Sequence, residues 1–219
     1  GNSFSGSYYG YYTDMGSSLD TLIFEGNSLL PPSTSSYVYE FQLTSSAALG
    51  ILKNNTFEGR KLQTYGIDSI ISNRFFEAEN TNVLDISGSG TFIANNYISL
   101  GGALASTGLY VRNNTSDVKI VNNSIENIGT SASSYALRLE GGATNITVKN
   151  NIFSAKNGGV PVQVPSALTN LDWDYNCYYT SGNIIGSYNG TNYSSVSALG
   201  AAMGSDANSL NVNPFFVSD

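Results

Sequence analysis

The sequence predicts an all-β solenoid wound once per copy of a short repeat, and three observations carry that prediction. A six-residue pattern, apolar–x–Asn–Asn–x–apolar at its clearest, returns nine times along the 219 residues. Twelve residues before its fourth position stands an apolar residue in seven copies out of seven. Between copies, apolar and polar residues alternate and are punctuated by Gly, Ser and Asn. Self-similarity at roughly 20–50 residues marks a stack in which each unit buries its apolar face against its neighbours.

The clear copies are Leu52-Lys53-Asn54-Asn55-Thr56-Phe57, Ile71-Ser72-Asn73-Arg74-Phe75-Phe76, Ile93-Ala94-Asn95-Asn96-Tyr97-Ile98, Ile120-Val121-Asn122-Asn123-Ser124-Ile125 and Val148-Lys149-Asn150-Asn151-Ile152-Phe153. Looser copies begin at Phe24, Trp173 and Leu210, and a truncated one opens the chain as Asn2-Ser3-Phe4. Taking the fourth position as marker gives 2, 27, 55, 74, 96, 123, 151, 176 and 213, and the spacing predicts about eight coils. The upstream apolar row is Met15, Leu43, Leu62, Leu84, Val111, Leu139 and Val164. Around it, Tyr37–Leu43, Ala136–Glu140 and Val160–Val164 alternate with β-branched and aromatic residues, which reads as strand. Each coil therefore holds two or three strands joined by turns such as Ser87-Gly88-Ser89-Gly90 and Glu140-Gly141-Gly142-Ala143.

Parallel stacking of the coils would align like residues in ladders. The last pattern position predicts an apolar ladder of Phe4, Leu29, Phe57, Phe76, Ile98, Ile125, Phe153, Tyr178 and Phe215. The third and fourth positions predict an Asn ladder, because a carboxamide both donates and accepts and Asn tolerates a left-handed corner. From Thr180 to Ser209 the step lengthens, which predicts an irregular loop or a short helix over Ser195–Met203. Cys177, the sole cysteine, reads as a packed thiol beside Trp173, Tyr175 and Tyr178.

These repeats resemble the right-handed parallel β-helix of the pectin-lyase-like superfamily. The segment Asp174-Tyr175-Asn176-Cys177-Tyr178-Tyr179, with Asn189-Gly190-Thr191, Asp206-Ala207-Asn208 and Asn213-Pro214-Phe215 beyond it, resembles the tail of large secreted bacterial β-helix proteins. The resemblance covers nearly all of residues 1–219 as one domain and implies secretion or a cell-surface location, with further domains of the same parent chain. The start in mid-repeat, on Gly rather than Met, fits a fragment of a longer protein. Fold alone fixes no activity here, because the superfamily hosts lyases, hydrolases, epimerases, tailspikes and adhesins.

Composition removes several functions. Nine basic residues against sixteen acidic ones leave no stripe able to neutralise phosphates, which argues against nucleic acid and anionic membrane. No apolar run approaches the length of a spanning helix, so membrane insertion is not expected. With no His and no Asp-Asp pair, the hydrolase and epimerase types, zinc sites and His-assisted nucleophiles lose their chemistry, and no metal or cofactor is expected.

A polysaccharide lyase of the superfamily type would use Arg or Lys as base while Ca²⁺ neutralises a uronate. The outward rows beside the upstream apolar position supply candidates: Asp85, Arg112 and Glu140 on one side, Tyr110 and Arg138 on the other. In that alternative Arg138 or Arg112 is the base, and Asp85 with Glu140 hold Ca²⁺. The competing reading is a surface ladder in which Arg112 stands between Asp85 and Glu140, each pair worth under about 1 kcal/mol. The low charge and the absence of His favour the second reading, with Tyr110, Arg112, Arg138, Glu140 and Asp85 as a ligand-binding face for a polysaccharide or cell-surface glycan in an adhesin or stalk.

Smaller signals are Tyr8, Tyr9, Tyr11 and Tyr12 as an aromatic platform, and the N-x-Ser/Thr sequons at Asn54, Asn113, Asn122, Asn145, Asn189 and Asn192. Asn54 and Asn122 are expected to be buried in the ladder and so unable to carry a glycan. Asp20-Thr21-Leu22 and Asp68-Ser69-Ile70 match a short bacterial O-glycosylation signal.

Overall fold

Alternating residues cannot bury both faces of a lone strand, and here three short strands per repeat share one apolar interior. The computed structural model describes residues 3–4, 11–15, 20–30, 39–45, 49–79 and 82–216, and they form an all-β parallel solenoid with one short helix. Sheet A has nine strands, from Ser3–Phe4 through Thr56–Glu58, Tyr97–Gly101 and Ser124–Asn127 to Leu210–Asn211. Sheet B also has nine, among them Arg60–Tyr65, Asn82–Ser87, Thr107–Val111, Tyr135–Leu139 and Val160–Val164. Sheet C has seven, from Thr21–Glu25 to Thr169–Asp174. Those seven strands bound about six complete turns.

Each sheet contributes an inward row. Sheet A supplies Leu29, Phe57, Phe75, Ile98, Ile125, Phe153 and Tyr178, each paired with the next across one coil and each fully buried. Sheet C supplies Leu52, Ile70, Ile93, Ile120, Val148 and Trp173 in the same way. Burial of each such side chain contributes about 1.5–3 kcal/mol, so the rows are the main source of stability. The rings of Phe57 and Phe75 stack at 4.8 Å and 7°, matching the spacing between strands.

At the corner from sheet C to sheet A, adjacent residues take opposite roles. Gly26, Asn54, Ser72, Asn95, Asn122, Asn150 and Tyr175 have φ between 56° and 66°, the left-handed conformation that turns the chain. The residue that follows points inward. Asn27, Asn55, Asn73, Asn96, Asn123, Asn151 and Asn176 are buried and bonded coil to coil. In each link the backbone N–H and side-chain Nδ2 of one Asn donate to Oδ1 of the next. From Asn96 to Asn123 those distances are 3.0 and 2.9 Å. Nδ2 of Asn123 also reaches the carbonyls of Ile93 and Val121, so few polar atoms at the bend lack a partner.

Several sequence registers need correction. Asn73 and Phe75, not Arg74 and Phe76, occupy the column and core positions, because Arg74 pairs with Thr56 and Phe75 with Phe57. This copy begins at Ile70, one residue before the expected Ile71, and Ile70–Phe75 pairs with Leu52–Phe57 through a corner of the same length. At the C-terminal end Cys177 pairs with Leu210 and Tyr178 with Asn211, so Ser209, not Asn213, closes the column, and its Oγ accepts from Asn176 N at 2.7 Å. Phe215 lies outside the core and is 79% exposed. Only the Phe4 end of the expected apolar ladder is set by backbone alone, through its pairing with Leu29.

The upstream apolar row is not one ladder either. Leu62 pairs with Leu84, but Leu84 pairs with Leu109 and Val111 with Ile86. The row slips by two residues between those coils, and because side chains alternate with period two the slip keeps Leu62, Leu84, Val111, Leu139 and Val164 buried on the inward side.

The long step resolves into a cap. Asn189 and Gly190, with φ of 49° and 77°, turn Gly186–Tyr188 into the antiparallel strand Thr191–Tyr193, which closes the edge of sheet B. Helix Val196–Met203 follows, with Ser195 Oγ accepting from Ala198 N at 3.2 Å as its N-cap. Leu199 seats against Gly186, where a Cβ would lie 2.7 Å from the leucine. Beneath the helix, Trp173 Nε1 donates to Tyr178 OH, which donates to Asp206 Oδ2 at 2.8 Å. Cys177 is half-buried on the outer face of sheet A, not in the core. Burial raises its thiol pKa, and its Sγ lies 3.5 Å from Val212 O. From Val212 the chain runs back along that face until Phe216 meets Tyr97, ring centroids 6.2 Å apart.

Candidate functional site

The outer face of sheet B carries a cluster of paired charge that runs over successive coils. In true register, Gln63, Asp85, Tyr110, Arg138, Gln163 and Ser187 form one row, each opposite the next. The two-residue slip thus brings Tyr110 and Arg138 onto the row of Asp85, where the sequence spacing had put them on a parallel row. All five predicted residues come together.

Asp85 is fully buried despite its outward direction. Arg112 clamps it with a fork, Nε to Oδ1 at 2.7 Å and Nη2 to Oδ2 at 2.9 Å, and Lys61 Nζ adds a contact to Oδ2 at 3.5 Å. One strand on, Arg138 holds Glu140 through Nη2 at 2.6 Å and Nε at 2.8 Å, and Tyr110 OH donates to the same oxygen at 3.1 Å. The guanidinium of Arg138 lies 5.8 Å from the Tyr110 ring centroid and 5.9 Å from that of Tyr135. Gln163 Nε2 donates to Tyr135 OH at 2.9 Å, while its Oε1 is buried with no partner.

The electrostatics follow from the pairing. The hydrogen bonds to Asp85 raise the pKa of Arg112 further above an already high value, so this guanidinium does not give up a proton. Tyr110 is also raised, first by burial and then by its bond to Glu140. Among the described residues of this face, three cations, Lys61, Arg112 and Arg138, stand against the two carboxylates of Asp85 and Glu140. No group of three or more Cys, Asp and Glu among the described residues could hold a metal ion.

Lys61, Tyr135 and Gln163 belong to this cluster, and sequence reasoning did not select them. Correct register places Gln163 on the row after Arg138, while Lys61, two residues before Gln63, reaches Asp85 diagonally. Tyr135 lies outside the regular alternation and left no usable signal.

The other sequence candidates fare differently. Tyr8 and Tyr9 lie outside the described residues, and Tyr11 and Tyr12 are described only as backbone in strand Tyr11–Met15. Asn54 and Asn122 occupy the exposed left-handed corner, so burial is no bar to a glycan there. Thr21 is exposed and Ser69 half-buried. No described helix is long and apolar enough to cross a membrane. Comparison with family models, with curated proteins and with solved structures gives no match.

Proposed function

We propose that this chain is a non-catalytic section of a large secreted bacterial cell-surface protein, adhesin- or stalk-like, whose sheet B face binds a polysaccharide or cell-surface glycan. The observation that carries this reading is the pairing on that face. Arg112 and Arg138 are each committed to a carboxylate within 2.9 Å, beside half-buried tyrosines that can pack on sugar rings. Arginines held this way are poor bases, and Asp85 and Glu140 are poor Ca²⁺ ligands because guanidinium groups already occupy them. The lyase alternative is weakened accordingly.

We also infer the finer architecture of the solenoid. The winding is right-handed, of about eight coils counted by sequence markers, and the buried amides are an Asn ladder of the pectin-lyase-like kind. What supports it is the parallel three-sheet stack and the unbroken run of Asn-to-Asn bonds from Asn27 to Asn176.

The test is retention of the purified chain on immobilised glycans, with uronate polymers and Ca²⁺ in a parallel assay. Expected are retention that falls for Tyr110→Ala and no rise in unsaturated-product absorbance. A rise abolished by Arg138→Ala would overturn the proposal.

A further inference from the structure

Resting on the glycan-binding reading, we infer that the sheet B face takes a neutral polysaccharide lying along the solenoid axis, about one sugar per coil, and discriminates against acidic polymers.

Three features of the face lead there. Successive coils are about 4.8 Å apart, close to the advance per residue of an extended pyranose polymer, so equivalent sugars would meet equivalent strands. Tyr110 and Tyr135 stand on neighbouring strands with Arg138 5.8 and 5.9 Å from their ring centroids, which puts two aromatic rings on one face for the apolar sides of sugar rings. Gln163, one coil further, brings a buried Oε1 that has no partner. A buried acceptor without a donor is costly, and a sugar hydroxyl would relieve that cost if the amide turns outward to meet it. Its amide already fixes Tyr135 OH as an acceptor, which leaves that hydroxyl's own proton to donate outward.

The discrimination comes from charge. A uronate or sulfate needs a cation able to turn toward it, but the Arg112 fork is closed on a fully buried Asp85 and Arg138 is held by Glu140. Drawing either arginine away would strand a carboxylate, and leaving them in place would set an anion beside Asp85 and Glu140. Hydroxyl groups meet neither penalty. They can share the outer edges of the same pairs while the tyrosines supply the contact area.

Calorimetric titration of the intact chain with length-matched hexasaccharides tests this, using cellohexaose and chitohexaose as neutral probes and hexagalacturonate as the acidic one. The expected result is binding of a neutral probe with Kd changing less than about twofold between low and high salt. Tyr135→Ala should weaken it about tenfold. Gln163→Leu, which keeps the strand and removes only the acceptor and its amide, should weaken it about fivefold. Tighter binding of hexagalacturonate that is lost at high salt would overturn the neutral specificity and leave the glycan-binding reading standing. Binding of no probe by a chain with native circular dichroism would overturn both. Neutral binding indifferent to both substitutions would move the site off this face.

Discussion

The Asn column and the outer face of sheet B are both ladders one coil apart, yet they are built on different rules. In the column, one residue type repeats from Asn27 to Asn176, and each amide does for its neighbour what the next does for it. On sheet B each rung differs from the next, and partners are found diagonally or within a strand, as Arg112 finds Asp85 and Arg138 finds Glu140. A repeated residue answers a demand that recurs at every coil, here unpaired backbone groups at a bend. A row whose members differ has no such demand to meet. It is where a solenoid is free to carry a site, and the contrast predicts that damage to the column should cost far more than damage to the face.

The largest effect is therefore expected from Asn123→Ala. It removes the acceptor of Asn96 N and Nδ2, the side-chain donor to Asn151 Oδ1 and the bonds to Ile93 O and Val121 O, all buried but the last, which is part-buried. Groups stranded there cost about 1–3 kcal/mol each before relaxation, and a net loss of about 3 kcal/mol is expected. Urea unfolding followed by circular dichroism would measure it. A shift no larger than that of Arg138→Ala would erase the distinction between the two ladders.

Arg112→Ala should come next, at about 2 kcal/mol, because it strands the fully buried Asp85 with Lys61 as remaining cation. Removing both charges, Arg112→Met with Asp85→Asn, should return most of that loss while the column stays intact. A double variant no better than the single one would show that packing, not an orphaned carboxylate, sets the cost.

Much of the column was legible in the sequence, and the reason lies in this same contrast. Repetition is what a sequence displays, so paired Asn residues announced the solenoid and its interior. The failures fall where a coil departs from the average. At Ser72-Asn73 a serine replaces the first Asn of the pair, which hid that the copy begins at Ile70 and that Asn73 is the column residue, and the cap put Ser209 where Asn213 was expected. Which of two adjacent Asn points inward was also not legible, since the left-handed corner and the buried amide favour the same residue type for different reasons. On sheet B, period two gave the face of each residue correctly, but a two-residue slip is invisible to it. Asp85, Tyr110 and Arg138 were thus read as neighbours across rows when they share one. Tyr135 and Gln163 waited on the structure.

A smaller effect is expected on the third kind of surface, the outer face of sheet A that the chain itself covers. Ser154 and Glu126 point outward yet are buried, and Phe216 packs on Tyr97 three strands back from Cys177. Phe216→Ala removes one half-buried ring, worth about 1 kcal/mol. The sharper readout is Cys177, whose Sγ lies against Val212 O, and its labelling by a thiol reagent should accelerate severalfold. An unchanged labelling rate would mean that the segment from Val212 to Phe216 does not shield the face.

The smallest effect lies where the column ends and the cap begins. Ser209 closes the column and donates to Asp206, whose other oxygen accepts from Tyr178 OH, with the Asp174 carboxylate nearby raising its pKa further. Burial is the main reason that the Asp206 carboxyl is held above its ordinary 3.8, outweighing the hydrogen bonds that lower it. The folded chain therefore holds this proton more tightly than the unfolded one. The resulting stability is complete below 3.8 and is lost as pH rises through the higher folded value. Asp206→Asn does not titrate, so it should gain on the wild type over that rise, by under about 1 kcal/mol. Trp173, the sole tryptophan and a donor to Tyr178, reports the transition by fluorescence. A gap between the two proteins that stays constant with pH would mean the cap is held by Leu199 and its apolar contacts alone. The amide column would then end on a packing interaction and not on a charge.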